Sequence, residues 1–329
     1  MQTLDDILAH VRLAARDLVL KLEAIERLDT AATNEDQRYL QLAAALDGCL
    51  AALNTLNLWG PDNRLPSSEL WNVAGHLLAR GWLQNQARTK PRGYAGDHEM
   101  LARIYDNRCC EDPLGRLFDR YFQAQAAPQA VRNRMAMMID WIIESVGNRE
   151  NPLRVAIVGS AFGLEVRDAV RRMEHSTREK LYVTLLDLDP VAIDFAREQL
   201  SPLLPPERLT AISTNLFRLP DRPDAAACLS DTELLFCPGL FDYLDDPAAV
   251  AMLRCLFPQL APGGRLTVFQ FTPHNPTRAY MEWFGNWYLT YRDAADFSRL
   301  IATTDLPNAI GAFGAEPLGI DLFTTITRS

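Results

Sequence analysis

The chain is predicted to have an α/β fold in which a mostly parallel sheet is covered by helices on both faces. From residue 153 onward, short apolar runs of strand length alternate with segments of helix length, the pattern of a parallel sheet. Residues 1–146 instead show helical periodicity and no strand-like alternation. The polar, proline-containing segment 147–152 separates the two parts. We therefore predict an all-helical N-terminal region at 1–150 and a sheet-containing domain at 151–329.

Each predicted element follows from a local pattern. In the first region, Thr3 precedes an apolar stripe and predicts a helix cap, and further helices are predicted from Asn34 to Leu53, from Ser67, from Pro113 to Gln125 and from Pro128 to Val146. Strands are predicted at 153–158, 181–187, 208–213, 232–237, 265–271 and near 320–327, with Ala315 to Thr327 as a closing pair. An aromatic-rich segment from Thr277 to Thr290 predicts an amphipathic helix that packs against the domain.

Composition limits the classes of partner. The 329 residues carry a net charge of -9, which argues against a chain-wide nucleic-acid surface and favours small-molecule partners. No apolar run reaches the roughly 18 residues of a membrane-spanning helix, and the N-terminus has acids where a signal peptide would be basic, so we expect no membrane span and a cytoplasmic location. The six cysteines lack Cys-x-x-Cys spacing, and no ligand cluster predicts a metal. Nothing in the sequence indicates the oligomeric state.

A glycine-bearing turn follows the first predicted strand. Gly159 and Gly163 would let a ligand approach the backbone there, although the pattern is weaker than the Gly-x-Gly-x-x-Gly dinucleotide fingerprint. At the end of the next strand, the Asp187 carboxylate could accept hydrogen bonds from both ribose hydroxyls of an adenosine ligand. The alternative is that Asp187 caps the following helix together with Asp189. We assign ribose binding to Asp187 and capping to Asp189.

One strand further on, Asn215 and Leu216 provide a polar side chain and an apolar neighbour. This is the place where an adenine is usually met in such a sheet. We therefore interpret Asn215 as an adenine contact. Together, the glycine turn, Asp187 and Asn215 predict a nucleoside site at the carboxyl ends of the first three strands.

These motifs resemble those of the class I S-adenosylmethionine-dependent methyltransferases, whose sheet is Rossmann-like and mostly parallel with a closing antiparallel strand. The resemblance covers about Arg154 to Arg328 and includes the Leu260 to Leu266 segment before the fifth strand. It implies S-adenosyl-L-methionine as cofactor and assigns Gly159, Ser160, Gly163 and Glu165 to its methionine end, Asp187 to its ribose, Asn215 to its adenine, and Leu188 and Leu216 to further cofactor contacts. Tyr243, after the fourth strand, would lie where this fold binds substrate.

The irregular segment Thr89 to Asp97 stands out in the helical region. Pro91 keeps its preceding residue out of helical geometry, and two glycines free the backbone, so a loop presenting Arg92, Tyr94 and Asp97 is predicted. It is either a binding loop or a connection between helices with Asp97 near the next helix N-terminus. In the first case, we expect the helical region to form a lid, with Arg92, Tyr94 and Asp97 reaching the cofactor's amino-acid end or the acceptor.

The same segment, with Gly239 to Leu244 and Asn275 to Arg292, resembles a bacterial group with a helical N-terminal region. That group is similar to enzymes that make 3-hydroxy fatty acid methyl esters and related to enzymes that convert S-adenosylmethionine into azetidine-2-carboxylic acid. The resemblance implies Tyr94, Asp97, Arg92 and Tyr243 as the catalytic candidates. It does not separate methyl transfer from cyclisation.

Chemistry favours O-methylation of a small or fatty hydroxy acid. A carboxylate nucleophile is already ionised at neutral pH, so positioning supplies most of the catalysis and no dedicated base is needed. The scattered histidines, with no convincing Ser/His/Asp or Cys/His set, agree with this. Cyclisation of the cofactor would need an unprotonated amine, which Tyr94 or Asp97 could help to deprotonate. A cofactor-binding scaffold without turnover is the third hypothesis.

Overall fold

The computed structural model describes residues 3–28, 34–147, 149–306 and 309–329. It contains a seven-stranded sheet with strands β1 (Leu153–Val158), β2 (Leu181–Asp187), β3 (Leu209–Ser213), β4 (Thr232–Cys237), β5 (Leu260–Phe271), β6 (Ala309–Ala315) and β7 (Asp321–Arg328). The strand order is β3-β2-β1-β4-β5-β7-β6. The pairs among β1 to β5 are parallel, and β7 is antiparallel to both β5 and β6. This arrangement confirms the predicted α/β fold.

The sheet is apolar on both faces, as a parallel sheet between two helical layers requires. Ala156 and Val158 of β1 belong to one buried cluster, whereas Val155 and Ile157 belong to another. Because side chains alternate along a strand, these two pairs point to opposite faces. The continuous apolar run in β1 is thus explained by burial on both sides.

Seven helices lie before the sheet: α1 (Leu4–Glu26), α2 (Glu35–Asn54), α3 (Arg64–Leu78), α4 (Trp82–Thr89), α5 (His98–Tyr105), α6 (Pro113–Gln123) and α7 (Ala126–Val146). The predicted cap is confirmed, since Thr3 and Asp6 form a capping box at the start of α1. Within the described parts of residues 3–147 there is no strand. The predicted all-helical character of this region is therefore confirmed.

The remaining helices follow the strands: α8 (Leu164–Arg172), α9 (His175–Arg178), α10 (Pro190–Leu200), α11 (Pro223–Ala226), α12 (Asp246–Leu256), α13 (Arg278–Trp283) and α14 (Ala294–Thr304). In the described ranges, no helix is both long enough and apolar enough to cross a membrane.

The helix predicted from Thr277 to Thr290 is wrong in its length. Helix α13 ends at Trp283, and Asn286 adopts a left-handed backbone with φ of 47°. The N–H of Trp287 then donates to the carbonyl of Met281 at 2.9 Å, which closes a turn instead of continuing the helix. The predicted packing role does hold for several of its aromatics, because Tyr280, Trp283 and Phe284 are buried.

The chain divides into two compact units. The first comprises Met1–Gln129 and Pro276–Tyr288, and the second comprises Ala130–Asn275 and Leu289–Ser329. These units differ from the regions predicted at 1–150 and 151–329. Most of α7 belongs with the sheet, and the segment around α13 belongs with the first helices. We call the two parts the helical unit and the sheet unit.

Candidate functional site

The turn between β1 and α8 contains three residues with a left-handed backbone, and it lies close to β2. Gly159, Ala161 and Gly163 have positive φ values of 81°, 45° and 62°. A Cβ atom on Gly163 would lie 2.8 Å from Cδ1 of Leu185, a distance too short for carbon atoms. Glycine at this position therefore allows α8 to start directly against β2.

Ser160 places a buried hydroxyl in this turn. Its side chain is buried, and its Oγ atom finds no hydrogen-bond partner among the described residues. The N–H groups of Gly159 and Ser160 both donate to the carbonyl of Leu186, at 2.8 and 3.0 Å, so the backbone here is fixed to β2. A buried hydroxyl without a partner costs free energy, and a polar ligand group could satisfy it.

Asp187 closes the other side of the turn. Its Oδ2 atom accepts a hydrogen bond from the N–H of Ala161 at 2.7 Å, and its Oδ1 atom accepts one from the N–H of Asp189 at 2.9 Å. The side chain of Asp189, in contrast, accepts from the N–H of Val191 at 2.8 Å and caps α10. The predicted capping role of Asp189 is confirmed.

Asn215 and Leu216 follow β3 on the same edge of the sheet. The N–H of Thr214 donates to the carbonyl of Asp187 at 2.8 Å, which ties this segment to the end of β2. Asn215 is exposed and its Oδ1 atom accepts from the N–H of Phe217, so it also caps a short 3₁₀ helix. Leu216 is buried, and its Cδ1 atom lies 3.9 Å from the position of a Cβ on Gly159. Leu216 is thus a direct neighbour of the Gly159 turn.

The two other residues assigned to the cofactor follow β1 and β2 in the chain. Glu165 is buried in the first turn of α8, where the positive end of the helix dipole favours a carboxylate. Leu188 is half-buried directly after Asp187, and its carbonyl accepts from Oγ of Ser213 at 3.3 Å. The sheet unit therefore gathers the predicted residues at the carboxyl ends of β1, β2 and β3.

A buried acid precedes Tyr243 at the end of β4. Tyr243 is half-buried in a 3₁₀ turn, whereas Asp242 is buried and its Oδ1 atom accepts from Nε2 of Gln270 at 2.7 Å and from the N–H of Phe271 at 2.9 Å. Burial raises the pKa of Asp242 well above its ordinary value, and the charge of Asp321 raises it further. Sequence reasoning did not single out Asp242, because burial is not visible in the local pattern.

Asp321, at the start of β7, forms a buried ion pair with Arg134 of α7. Their Oδ2 and Nη1 atoms are 2.9 Å apart, and both side chains are almost fully buried. Burial raises the pKa of Asp321, while Arg134 opposes the change. No sequence signal could have found this pair, since 187 positions separate its members.

Arg278 and Arg292 lie in or beside the aromatic-rich segment, and each forms an ion pair. Nη2 of Arg292 lies 2.8 Å from Oδ1 of Asp246, and Nε of Arg278 lies 2.7 Å from Oε1 of Glu282. Both arginines therefore pair with acids of their own unit.

In the helical unit, the segment Thr89 to Asp97 connects α4 to α5. Asp97 is fully buried, with Oδ1 accepting from the N–H of Met100 at 3.0 Å and Oδ2 from Nε2 of Gln86 at 2.7 Å. This geometry supports the alternative in which Asp97 caps the next helix. Arg92 pairs with Glu99 at 2.6 Å, and Tyr94 is half-buried in the turn. Across the described parts of the chain, no group of three or more His, Cys, Asp or Glu side chains could hold a metal ion.

No protein-family model matches the chain, and the search of curated proteins gives no match. Solved structures do match over nearly the whole length. A possible exported protein from Bordetella parapertussis is 15% identical with a TM-score of 0.56, covering 98% of this chain and 96% of the other. The CurJ carbon methyltransferase is 11% identical with a TM-score of 0.52, covering 99% and 93%.

A third match is the CMeT domain of the citrinin polyketide synthase. It is 14% identical with a TM-score of 0.52, and the alignment covers 89% of this chain and 69% of the other. At these identities the likeness concerns the fold. The chain has the Rossmann-like fold of class I methyltransferases, as predicted from its sequence.

Proposed function

We propose that the protein binds S-adenosyl-L-methionine at the carboxyl edge of its sheet and transfers the methyl group to the carboxylate of a small or fatty hydroxy acid. The observation that carries the proposal is the bond between Asp187 and the N–H of Ala161. It places an acid beside a glycine turn at the point where the strand order reverses between β1 and β4. Open α/β sheets bind nucleotide ligands at this point.

The residues around this point fit the cofactor. The Oγ atom of Ser160 is buried and lacks a partner in the described chain, which suits a polar group at the methionine end. We assign the Asp187 carboxylate to the ribose hydroxyls, because hydroxyl groups are donors that a carboxylate accepts. Leu216 lies next to the Gly159 turn and offers an apolar side chain for a flat base, with the exposed Asn215 directly before it in the chain. The methyl-bearing end would then lie toward Ser160, and the base toward Leu216.

S-adenosylmethionine, when bound, supplies an electrophilic methyl group on a sulfonium. The protein's task is to hold an ionised carboxylate in line with that group and to exclude water. Tyr243 is half-buried after β4, next to the buried Asp242, and we assign it to the acceptor side. Since the acceptor is already ionised at neutral pH, no proton has to be removed from it.

For the helical unit, we propose that Arg92 and Tyr94 contribute to acceptor binding. Asp97 would act through them, because both of its oxygens are engaged in holding the loop to α4 and α5. In this view Asp97 is a positioning residue. Substitution of Tyr94 by Phe should then raise the KM for the acid without changing the affinity for the cofactor.

One incubation tests the reaction. The protein is supplied with S-adenosylmethionine alone and then with a series of hydroxy acids of increasing chain length, and the adenosyl product is identified by mass spectrometry. S-adenosylhomocysteine that forms only when an acid is added, together with its methyl ester, is the expected result. Methylthioadenosine from the cofactor alone would replace the proposal with cyclisation to azetidine-2-carboxylic acid. Cofactor binding without any product would support the hypothesis of a cofactor-binding scaffold without turnover.

A further inference from the structure

Three cationic side chains of the helical unit lie near one another and form no ion pair with a described acid. They are Arg64 at the start of α3, Arg88 at the end of α4 and Lys90 directly after α4. None of the carboxylates that the structure describes forms an ion pair with any of them, whereas Arg80 and Arg92 of the same unit are both paired. We call these three residues the Arg64–Arg88–Lys90 cluster.

Arg88 is held firmly in one orientation. Its Nη1 and Nη2 atoms donate to Oγ and the carbonyl oxygen of Ser67 at 2.5 and 3.2 Å, and its guanidinium lies 5.0 Å from the ring centroid of Trp71. These contacts use two of its five N–H donors. Burial lowers the pKa of Arg88 to about 10. A half-buried guanidinium without a counter-ion is partly desolvated at a cost in free energy.

Lys90 and Arg64 add two more positive charges to the same neighbourhood. Nζ of Lys90 donates to the carbonyl of Asn286 at 2.8 Å, which leaves two donors of its ammonium group. Burial and the charges of Arg88 and Arg64 all lower the pKa of Lys90. The guanidinium of Arg64 lies 5.4 Å from the ring centroid of Tyr288. Like charges at this proximity repel one another unless an anion lies among them.

Two buried polar groups lie beside the cluster. Nε1 of Trp71 has no hydrogen-bond partner among the described residues. Oη of Tyr288 forms no hydrogen bond of standard geometry with them, although the side chain of Ser67 interacts with it. The acid that acts on Tyr288 is Glu282, but its oxygens already accept from the N–H of Gly60 and from Nε of Arg278, both at 2.7 Å. The neighbourhood therefore offers hydrogen-bond donors from several side chains, and both oxygens of Glu282 already accept a hydrogen bond.

A solvated basic surface is the simplest alternative, and it does not account for these features. Arg64 is exposed, but Arg88 and Lys90 are half-buried, and burial lowers the pKa of both. Fully solvated side chains would not be held as Arg88 is, against the ring of Trp71 and by the oxygens of Ser67, or as Lys90 is, by the carbonyl of Asn286. The arrangement is that of a site whose acceptor comes from a ligand.

We propose that the Arg64–Arg88–Lys90 cluster binds an oxyanion, the carboxylate or phosphoryl group of a small-molecule ligand. Arg88 supplies a planar, fixed pair of donors, Lys90 a second charge, and Tyr288 and Trp71 single N–H or O–H donors. Arg64 closes the site on its exposed side. This inference does not depend on methyl transfer, because it concerns only the charges and donors of the helical unit.

Lys90 offers a direct readout, since the chain has three lysines, Lys21, Lys90 and Lys180. Competitive acetylation at a series of pH values, followed by peptide mass spectrometry, gives the titration of each lysine separately. The experiment is run at constant ionic strength with inorganic phosphate, with hexanoate and with the neutral hexanamide. Binding of an oxyanion should move the titration of Lys90 toward higher pH and leave that of Lys21 unchanged, because Lys21 is paired with Asp17.

Substitutions establish whether the cluster is responsible. Arg64→Gln and Arg88→Gln should each weaken the oxyanion effect about tenfold, since each removes charge-assisted hydrogen bonds. Arg64 is exposed, so its variant should fold even if the Arg88 variant does not. Lys21→Met is the matched control and should change nothing at Lys90.

The outcomes are separable. An effect of phosphate alone identifies a phosphoryl site, an effect of hexanoate alone identifies a carboxylate site, and an effect of both supports a general oxyanion site. No effect of either ion on Lys90, or an effect equal to that of hexanamide, overturns the proposal. Cofactor affinity measured on the same samples tests the proposed function independently.

Discussion

The Oδ2 atom of Asp187 accepts a hydrogen bond of 2.7 Å from the backbone N–H of Ala161. This single contact joins the end of β2 to the turn that follows β1, across 26 positions of the chain. It holds Ala161 in its left-handed conformation. The position of the acid and the shape of the turn are therefore coupled.

Asp187→Asn should weaken binding of S-adenosylmethionine by roughly 1–3 kcal/mol, because the amide loses the charge and one acceptor oxygen that ribose hydroxyls would use. Calorimetric titration measures the change. Asp194→Asn, on the exposed face of α10, is the matched control and should bind like the wild type. Equal affinities of wild type and Asp187→Asn would remove Asp187 from the site.

Gly163→Ala should destabilise the protein by more than the roughly 1–2 kcal/mol of a left-handed alanine, because its Cβ would lie 2.8 Å from Leu185. Gly263 has a similar φ of 78° but no atom within 4 Å of an added Cβ. Gly263→Ala therefore isolates the conformational cost, and the difference between the two free energies of unfolding isolates the steric one. If denaturant melts show the same loss for both variants, the close approach of the turn to β2 is not what requires glycine.

Arg134→Met should lower the free energy of unfolding by about 3–5 kcal/mol, since it leaves the buried Asp321 carboxylate without its counter-ion. Arg172→Met, which breaks a 3.5 Å pair on the exposed surface of the same unit, should cost less than about 1 kcal/mol. Urea titration of both variants provides the comparison. Similar losses of unfolding free energy in the two variants would mean that the buried pair stabilises the protein no more than the exposed pair does.

Asp242 should make stability depend on pH. Burial, and then the charge of Asp321, raises its pKa from 3.8 to about 8, so the folded protein holds a proton that the unfolded chain releases between those values. Its contribution is complete below the unfolded pKa and is lost as the pH rises through the folded one. Asp242→Asn keeps the Oδ1 acceptor for Phe271 and cannot ionise, so its stability should fall less on alkalinisation than that of the wild type.

The difference between variant and wild type should grow by at least about 1 kcal/mol from about pH 5 to about pH 9. Asp245→Asn is the control, because this exposed neighbour caps α12 and asparagine caps equally well. Parallel pH profiles of wild type and Asp242→Asn would show that Asp242 does not carry the proton.

Local pattern was enough to predict most of the fold. The strands β1, β2 and β4 have the predicted bounds. Each is an uninterrupted apolar run between polar segments, the pattern of a strand that is buried on both faces of a sheet. Strand β5 begins five residues earlier than predicted, at Leu260 instead of 265. The segment Ala261 to Gly264 has turn-forming residues, yet Leu260 pairs with Thr232 across a register shift.

The helix predicted over 277–290 shows a limit of periodicity. Its aromatics are spaced as on an amphipathic helix, and several are buried as expected. The left-handed Asn286 nevertheless stops the helix, and the backbone there is fixed by the contact of Lys90 with the carbonyl of Asn286. These two residues are 196 positions apart, so a periodicity analysis of one helix-length segment cannot detect their contact.

The sequence by itself determined the order of strands and helices, the glycine turn and the acid that ends β2, because each depends on neighbours within a few residues. Only the tertiary structure decided that Asp242 and Asp321 are buried carboxylates, that Arg134 is paired with one of them, and that Arg64, Arg88 and Lys90 share a neighbourhood without an acid. These properties depend on burial and on Coulomb interactions between groups distant in sequence. They exist only once the chain has excluded water from its interior.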